Sequence, residues 1–288
     1  MAAVQGGDPL RTAIDEARVR GLRVQAWVHV FFAGFEGAPL MRLAQKRGWL
    51  AQRRDGAFAS SLEMWEGRGY YFLSPACEDA CDFLISNLRT LAAAYDLDAL
   101  HLDYIRYPLS ISSERCEYDY SPRNRSLFSA QHGADPLDLY PEDGRMWQEW
   151  NQFREDQITA FVHRLHDEIR AVRPELQLTA AVFGDVDDAR GKKFQNWPLW
   201  VREGWLNALY FMLYFTDPDV LREKTRLAAE SLPAGRRFHW SAGLPAFLGL
   251  TLEELNAMNA VARREGAPGL AWFAWNTVPE ADAPGLVR

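Results

Sequence analysis

Cysteine, basic charge and long apolar runs are all scarce in this sequence of 288 residues. Three cysteines are too few for a disulfide framework. The net charge of -7 argues against a nucleic-acid partner, which would need a basic face. No apolar run reaches the length of about 18 residues that a membrane-spanning helix needs, and residues 1–20 have no apolar core of the signal-peptide kind. We therefore expect no membrane span, while the cellular location stays unknown.

Aromatic residues, in contrast, are abundant. The chain has 11 Trp, 10 Tyr and 16 Phe residues, many of which must belong to the core. Trp and Tyr also stack on sugar rings through their apolar faces while their polar atoms form hydrogen bonds.

Helical and strand-like periodicities alternate along most of the chain. This alternation predicts an α/β fold with a parallel sheet and helices outside it. We expect one domain over residues 1–288, interrupted by two long excursions at 33–73 and 109–144. The six predicted strands cover residues 22–32, 99–105, 176–183, 206–215, 237–243 and 270–275. A closed (β/α)₈ barrel needs two more strands.

The strand at 99–105 carries the residue on which the functional interpretation depends. His101 and Asp103 fall on one face of this strand by the period of two, and Arg106 and Tyr107 follow directly. Burying an unpaired carboxylate is costly. Asp103 is therefore either a structural partner of Arg106 or a catalytic or sugar-binding group at the carboxyl end of a barrel strand.

Five segments together resemble the family-10-like glycosyl hydrolases, which are bacterial TIM-barrel proteins. The matching segments are Val24–Trp27, Tyr71–Pro75, Leu97–Pro108, Trp150–Arg154 and Trp200–Tyr214. Leu97–Pro108 resembles the family pattern "Val-Asp-Gly-Ile-His-Leu-Asp-Tyr-Ile-Arg-Tyr-Pro" and is the most specific of them. Three positions depart from the family patterns, because Gln25, Asn207 and Phe211 stand where His, Asp and Pro are usual.

The resemblance implies a (β/α)₈ TIM-barrel fold from which the first two strands are absent in this chain. Six strands alone leave two open sheet edges, and exposed edges favour pairing between molecules. We therefore expect low solubility or self-association through these edges. Similar proteins are often exported, although this chain has no signal peptide.

The resemblance also implies hydrolysis of a bacterial or environmental polysaccharide by two carboxylates, as in most glycoside hydrolases. Asp103 is the expected nucleophile or charge stabiliser, because the neighbouring Arg106 favours its ionised form. Asp185, just past the next strand, is the expected general acid, with Glu36 or Glu155 as alternatives. Neighbouring strands lie about 4.8 Å apart, which is compatible with the separation of about 5–5.5 Å between paired carboxylates in retaining enzymes.

Six further side chains are candidates for contact with an oligo- or polysaccharide. They are Arg106, Tyr107, Trp27, His29, Tyr214 and Trp275. We expect neither a cofactor nor a metal. Two alternatives stay open: a non-catalytic glycan-binding or scaffolding barrel, which Asn207 favours, and a metal-dependent hydrolase that uses His29, His101 and Asp103.

Overall fold

The computed structural model describes residues 7–109, 117–233 and 238–278. In chain order the strands are β1 (Gln25–His29), β2 (Phe32–Phe35), β3 (Met64–Trp65), β4 (Arg68–Phe72), β5 (Ala99–Asp103), β6 (Gln177–Val182), β7 (Ala208–Met212), β8 (His239–Leu244) and β9 (Gly269–Trp272). Six of them form the main sheet in the order β1-β5-β6-β7-β8-β9, and all neighbours in it are parallel. The predicted six-stranded parallel sheet is confirmed.

The helices connect these strands, and several of them cover the outer face of the main sheet. They are α1 (Pro9–Val19), α2 (Pro39–Arg47), α3 (Glu78–Ala94), α4 (Pro122–His132), α5 (Arg145–Val172), α6 (Val186–Lys193), α7 (Trp197–Arg202), α8 (Pro218–Glu230) and α9 (Leu252–Arg264). The helix starts follow local capping chemistry: Asp8 accepts two backbone N–H groups at the start of α1, and Thr251 and Glu254 form a capping box at the start of α9. None of the described helices combines the length and the apolar character needed to cross a bilayer.

The main sheet curls into a half-barrel whose outer face forms the core. Leu100 and Leu102 of β5 point outward and are fully buried beneath the helices, and burying each such side chain contributes about 1.5–3 kcal/mol. The curl brings the two edge strands toward each other at their carboxyl ends. There the ring of Trp27, in β1, contacts the ring of Phe273, just after β9, with 5.5 Å between centroids.

The inner face of the half-barrel is polar. Thr179 donates to the side-chain oxygen of Gln25 at 2.9 Å, and Gln25 donates to the hydroxyl of Tyr210 at 2.8 Å. Nδ1 of His101 lies 2.8 Å from the hydroxyl of Thr179. The side chains of four strands, β1, β5, β6 and β7, thus share one hydrogen-bond network, and this network supports the site above it.

The excursion at 33–73, which the sequence predicts as a long loop, contains regular secondary structure. The predicted strand at 22–32 ends at His29, and the chain then forms β2, α2, β3 and β4, with β2, β3 and β4 in an antiparallel sheet. Local signals for this structure are present in the sequence. Pro39 begins α2 and Gly48 ends it with φ 68°, while Glu66 and Gly67 both have positive φ, as a tight β3–β4 hairpin requires.

The second excursion packs against the long helix α5 and contains α4. Its residues 110–116 lie outside the described ranges. Tyr118 and Tyr120 are buried, and the ring of Tyr120 contacts Trp150 of α5. Arg54, from the first excursion, donates to the carbonyl of Leu139 at 3.0 Å. The two excursions therefore form one layer beside the barrel, and much of their aromatic content is core.

Candidate functional site

Asp103 is the last residue of β5, and its carboxylate is held at both oxygens. The indole N–H of Trp27 donates to Oδ2 at 3.0 Å, and the backbone N–H of Tyr104 donates to Oδ1 at 2.7 Å. Tyr104 has φ 50°, a conformation that is uncommon for an aromatic residue and is often found at functional sites. N–H groups are the donors that a carboxylate accepts from, so this geometry fixes the orientation of Asp103.

The Asp103 carboxylate faces a cleft of about 350 Å³ at the carboxyl ends of the strands. Side chains from five of the six strands contribute to its walls, which are mostly aromatic or small. The lining residues are Arg23, Gln25, Trp27, His101, Asp103, Ala181, Tyr210, Phe211, Met212, Tyr214, Gly243, Ala271, Trp272 and Phe273. Among these described residues, Asp103 is the one carboxylate. Its position at a strand end, inside an aromatic cleft, is where TIM-barrel enzymes place catalytic groups.

Two aromatic residues predicted to contact substrate lie in this cleft beside Asp103. Trp27 is 51% exposed. Tyr214 is partly buried, and its ring stacks on Phe273 with 5.8 Å between centroids. Burial, followed by the negative charge of Asp103, raises the pKa of Tyr214. Its hydroxyl therefore keeps its proton and presents a hydrogen-bond donor to the cleft.

Two histidines flank the carboxylate, and burial lowers the pKa of both. The pKa of His101 falls to about 4 despite the opposing effect of Asp103. His29 lies behind Trp27, with 4.6 Å between ring centroids, and is not among the lining residues. Burial lowers its pKa too, again against the effect of Asp103. Within the described ranges, no group of three or more His, Cys, Asp or Glu side chains has an arrangement that could hold a metal ion.

Arg106 and Tyr107, which the sequence predicts as substrate contacts, are not among the residues that line the cleft. Arg106 is 6% exposed and forms a two-point ion pair with Glu63, at 2.6 and 3.0 Å. Tyr107 is fully buried, with its ring against Phe194. The left-handed backbone at Tyr104 ends the strand and turns the following residues beneath the first excursion. A buried guanidinium needs a paired carboxylate there, and Glu63 supplies it in place of Asp103.

Asp185, the expected general acid, is not among the residues that line the Asp103 cleft. Its Oδ1 accepts the backbone N–H of Asp188 at 3.1 Å as the N-cap of α6, and its Oδ2 accepts from Lys224 at 3.1 Å. The backbone hydrogen bond from Asp188, helped by Lys224, lowers the pKa of Asp185 against the effect of burial. A general acid needs the opposite shift. Asp185 lines a neighbouring cavity instead.

The two alternative acids and the last aromatic candidate also lie away from the cleft. Glu36 is exposed in the turn after β2. Glu155 is 4% exposed and forms a two-point ion pair with Arg190. Trp275 is 53% exposed and contacts the ring of Trp272, but it does not line the cleft.

Sequence reasoning missed Tyr210 and Phe273 as parts of the site. Both line the cleft, and each had a signal. Tyr210 has the same strand parity as Met212 and Tyr214. Phe273 directly follows the last strand, at the end where barrel sites lie.

The sequence and the structure were compared with known proteins. The family model described as "Glycosyl hydrolase-like 10" matches residues 2–231. A curated relative, glycosyl hydrolase YngK of Bacillus subtilis (strain 168), is 21% identical over 236 residues, which are 73% of this chain. The chain spans 39% of the length of that relative.

Solved structures share the fold at low sequence identity. The glycoside hydrolase domain of PgaB (BpsB) from Bordetella bronchiseptica has a TM-score of 0.71 and 17% identity, over 98% of this chain and 79% of that one. The catalytic domain of β-amylase from Paenibacillus polymyxa has a TM-score of 0.60 and 12% identity, over 98% and 83%. These similarities show the TIM-barrel type of fold that the sequence predicted.

Proposed function

The chain belongs to the glycosyl hydrolase-like 10 family, and on that basis we propose that it hydrolyses glycosidic bonds in an oligo- or polysaccharide at the Asp103 cleft. We further propose that residues 1–288 act as one domain. The family and the TIM-barrel fold support this class of reaction. The observation that carries the proposal is the fixed carboxylate of Asp103 in an aromatic cleft at the carboxyl ends of the strands.

In this proposal the sugar ring lies against the exposed face of Trp27, whose indole N–H already holds Asp103. Stacking on an aromatic ring and a hydrogen bond from the same residue place the anomeric carbon close to the carboxylate. Asp103 then attacks the anomeric carbon as the glycosidic bond breaks, or it stabilises the positive charge that develops there while water attacks; in both cases the leaving sugar oxygen takes up a proton from water. The Tyr214 hydroxyl, which keeps its proton, donates a hydrogen bond to a sugar oxygen.

The charges in the cleft favour a neutral glycan. Arg23 is the one cation with a permanent charge among the described lining residues, and Asp98 lies 3.5 Å from it as an ion-pair partner. The pKa of about 4 keeps His101 uncharged near pH 7. Apart from Arg23, an acidic sugar would find no permanent cation among the described lining residues, whereas hydroxyl groups find polar partners in Gln25 and Tyr210.

The test is release of new reducing ends from cellulose, xylan, starch, galactan, chitin and chitosan. The wild-type chain is expected to cleave at least one of these polymers. Asp103→Asn should lower the rate by at least about a hundredfold, as loss of a catalytic group typically does. Asp15→Asn, on the exposed side of α1, is the matched control and should keep the rate. Full activity of Asp103→Asn, with an unchanged circular dichroism spectrum, would refute the assigned role.

A non-catalytic glycan-binding barrel is the second candidate, and one observation favours it. The described cleft contains a single carboxylate, whereas most glycoside hydrolases use two. Binding of an oligosaccharide without release of reducing ends from any of the six polymers supports this candidate over hydrolysis.

A further inference from the structure

A second cavity, of about 300 Å³, lies beside the Asp103 cleft on the same rim of the half-barrel. It is formed by the segments that follow β6 and β7, together with residues of α6 and α8. Met212, the last residue of β7, lines both the cleft and this cavity. Beyond it, Tyr214 faces the cleft, whereas Leu213 and Phe215 face the second cavity. The cleft and the second cavity are therefore neighbours that meet at Met212, at the end of β7.

The lining of this cavity combines charged groups of both signs with apolar surface. Asp185 and Lys224 meet at 3.1 Å, and Lys192 lies 3.4 Å from Asp188. The side chains of Asp185 and Lys224 remain 38% and 30% exposed, so they are accessible to a ligand. Phe215 adds a partly buried ring to the wall.

These groups retain capacity for hydrogen bonds with a ligand. A carboxylate offers about four lone-pair positions, and Asp185 uses one on Asp188 and one on Lys224. An ammonium has three donors, and Lys224 uses one of them on Asp185. Sugar hydroxyls both donate and accept, so adjacent carboxylate and ammonium groups suit them. The C–H face of a sugar packs on an aromatic ring such as that of Phe215.

From this arrangement we propose that the cavity is a subsite for a further sugar unit of the same chain whose scissile bond lies at Asp103. The inference rests on the proposed function and refines it: the substrate is a chain of several hydroxyl-rich, uncharged units rather than a terminal monosaccharide. Asp185 is thus assigned to substrate binding, in place of the acid role expected from the sequence. Its bond to the start of α6 and its ion pair with Lys224 fix it as an acceptor.

The experiment measures binding by calorimetry, so that it does not depend on cleavage. Cello-, xylo- and chito-oligosaccharides of two and six units are titrated into the Asp103→Asn protein. The readout is the ratio of the affinity for the hexamer to that for the dimer. Lys224→Met, introduced into the same background, removes the ammonium but keeps the methylene packing, and should lower this ratio about tenfold. Asp185→Asn should lower it in the same direction, while Asn still caps α6.

Lys46→Met, on the exposed surface of α2, is the control and should leave the ratio unchanged. An unchanged ratio in both Lys224→Met and Asp185→Asn overturns the subsite while leaving the proposed function intact. A lowered ratio in a chain whose wild-type form cleaves no polymer keeps the cavity as a glycan-binding site and refutes the scissile bond at Asp103. Absence of binding for every oligosaccharide overturns the subsite, whereas the proposed function is refuted by the reducing-end assay.

Discussion

The indole N–H of Trp27 donates to Oδ2 of Asp103 at 3.0 Å, between the inner faces of two neighbouring strands. In the parallel register Trp27 lies opposite His101, and Asp103 lies opposite His29. The bond therefore runs diagonally across the β1–β5 pair. Because Trp27 is 51% exposed, one residue both orients the carboxylate and presents a face to the cleft.

Trp27→Phe separates these two roles of Trp27. Phe keeps an aromatic face but has no N–H, so Asp103 loses one of its two donors. A hydrogen bond to a charged group contributes about 1.5–3 kcal/mol, and we expect kcat to fall about tenfold or more while KM changes little. Steady-state kinetics on the polymer that the wild type cleaves provide the measurement. A raised KM with unchanged kcat would mean that Trp27 only binds the sugar.

The sequence predicted the framework well because the framework depends on local patterns. Alternation of strand and helix periods set the six parallel strands, and the period of two correctly placed Asp103 on the inner face of β5. Capping residues are also local signals, because the side chains of Asp8 and Thr251 accept backbone N–H groups at the starts of α1 and α9. These features need no knowledge of distant parts of the chain.

The partners of the charged residues were mispredicted, for two different reasons. The sequence offers the near neighbour Asp103 as a partner for Arg106. The ion-pair partner in the structure is Glu63, which lies 43 residues earlier in the chain. Only tertiary packing brings them together. For Asp185, in contrast, the sequence itself contains a local signal for the N-cap role that the structure shows. An Asp directly before a helix with Asp188 three residues later is a common start signal.

Glu63→Gln should destabilise the fold more than any surface substitution. It leaves the buried guanidinium of Arg106 without a countercharge, and breaking a buried pair in this way costs about 3–5 kcal/mol. The double variant Glu63→Leu with Arg106→Met removes both charges and should be more stable than the single variant. Urea unfolding measures both free energies. Equal stability of Glu63→Gln and the wild type would show that the pair contributes little.

The outer edges of β1 and β9 should support self-association. Neither edge is paired with another described strand, and unpaired edges are templates for association. Val19 and Leu22, just before β1, are 84% and 60% exposed. We expect particles larger than a monomer in light scattering, with a share that grows with concentration. Leu22→Lys should reduce that share, whereas the control Leu127→Lys, on α4, should not. A monomer at every concentration contradicts this expectation.

Stability should fall on acidification because of His101. Burial lowers its pKa from the usual 6.5 to about 4 in the folded chain, so between these values the unfolded chain binds a proton that the folded chain does not. Stability from this group is therefore complete above about pH 6.5 and is lost as the pH falls toward about 4, by about 3 kcal/mol in all. Urea unfolding at several pH values in this window measures the slope. His101→Asn keeps a polar group near Thr179 but does not titrate, so its slope should be smaller than that of the wild type. Equal slopes in the two proteins would assign the acid sensitivity to other groups.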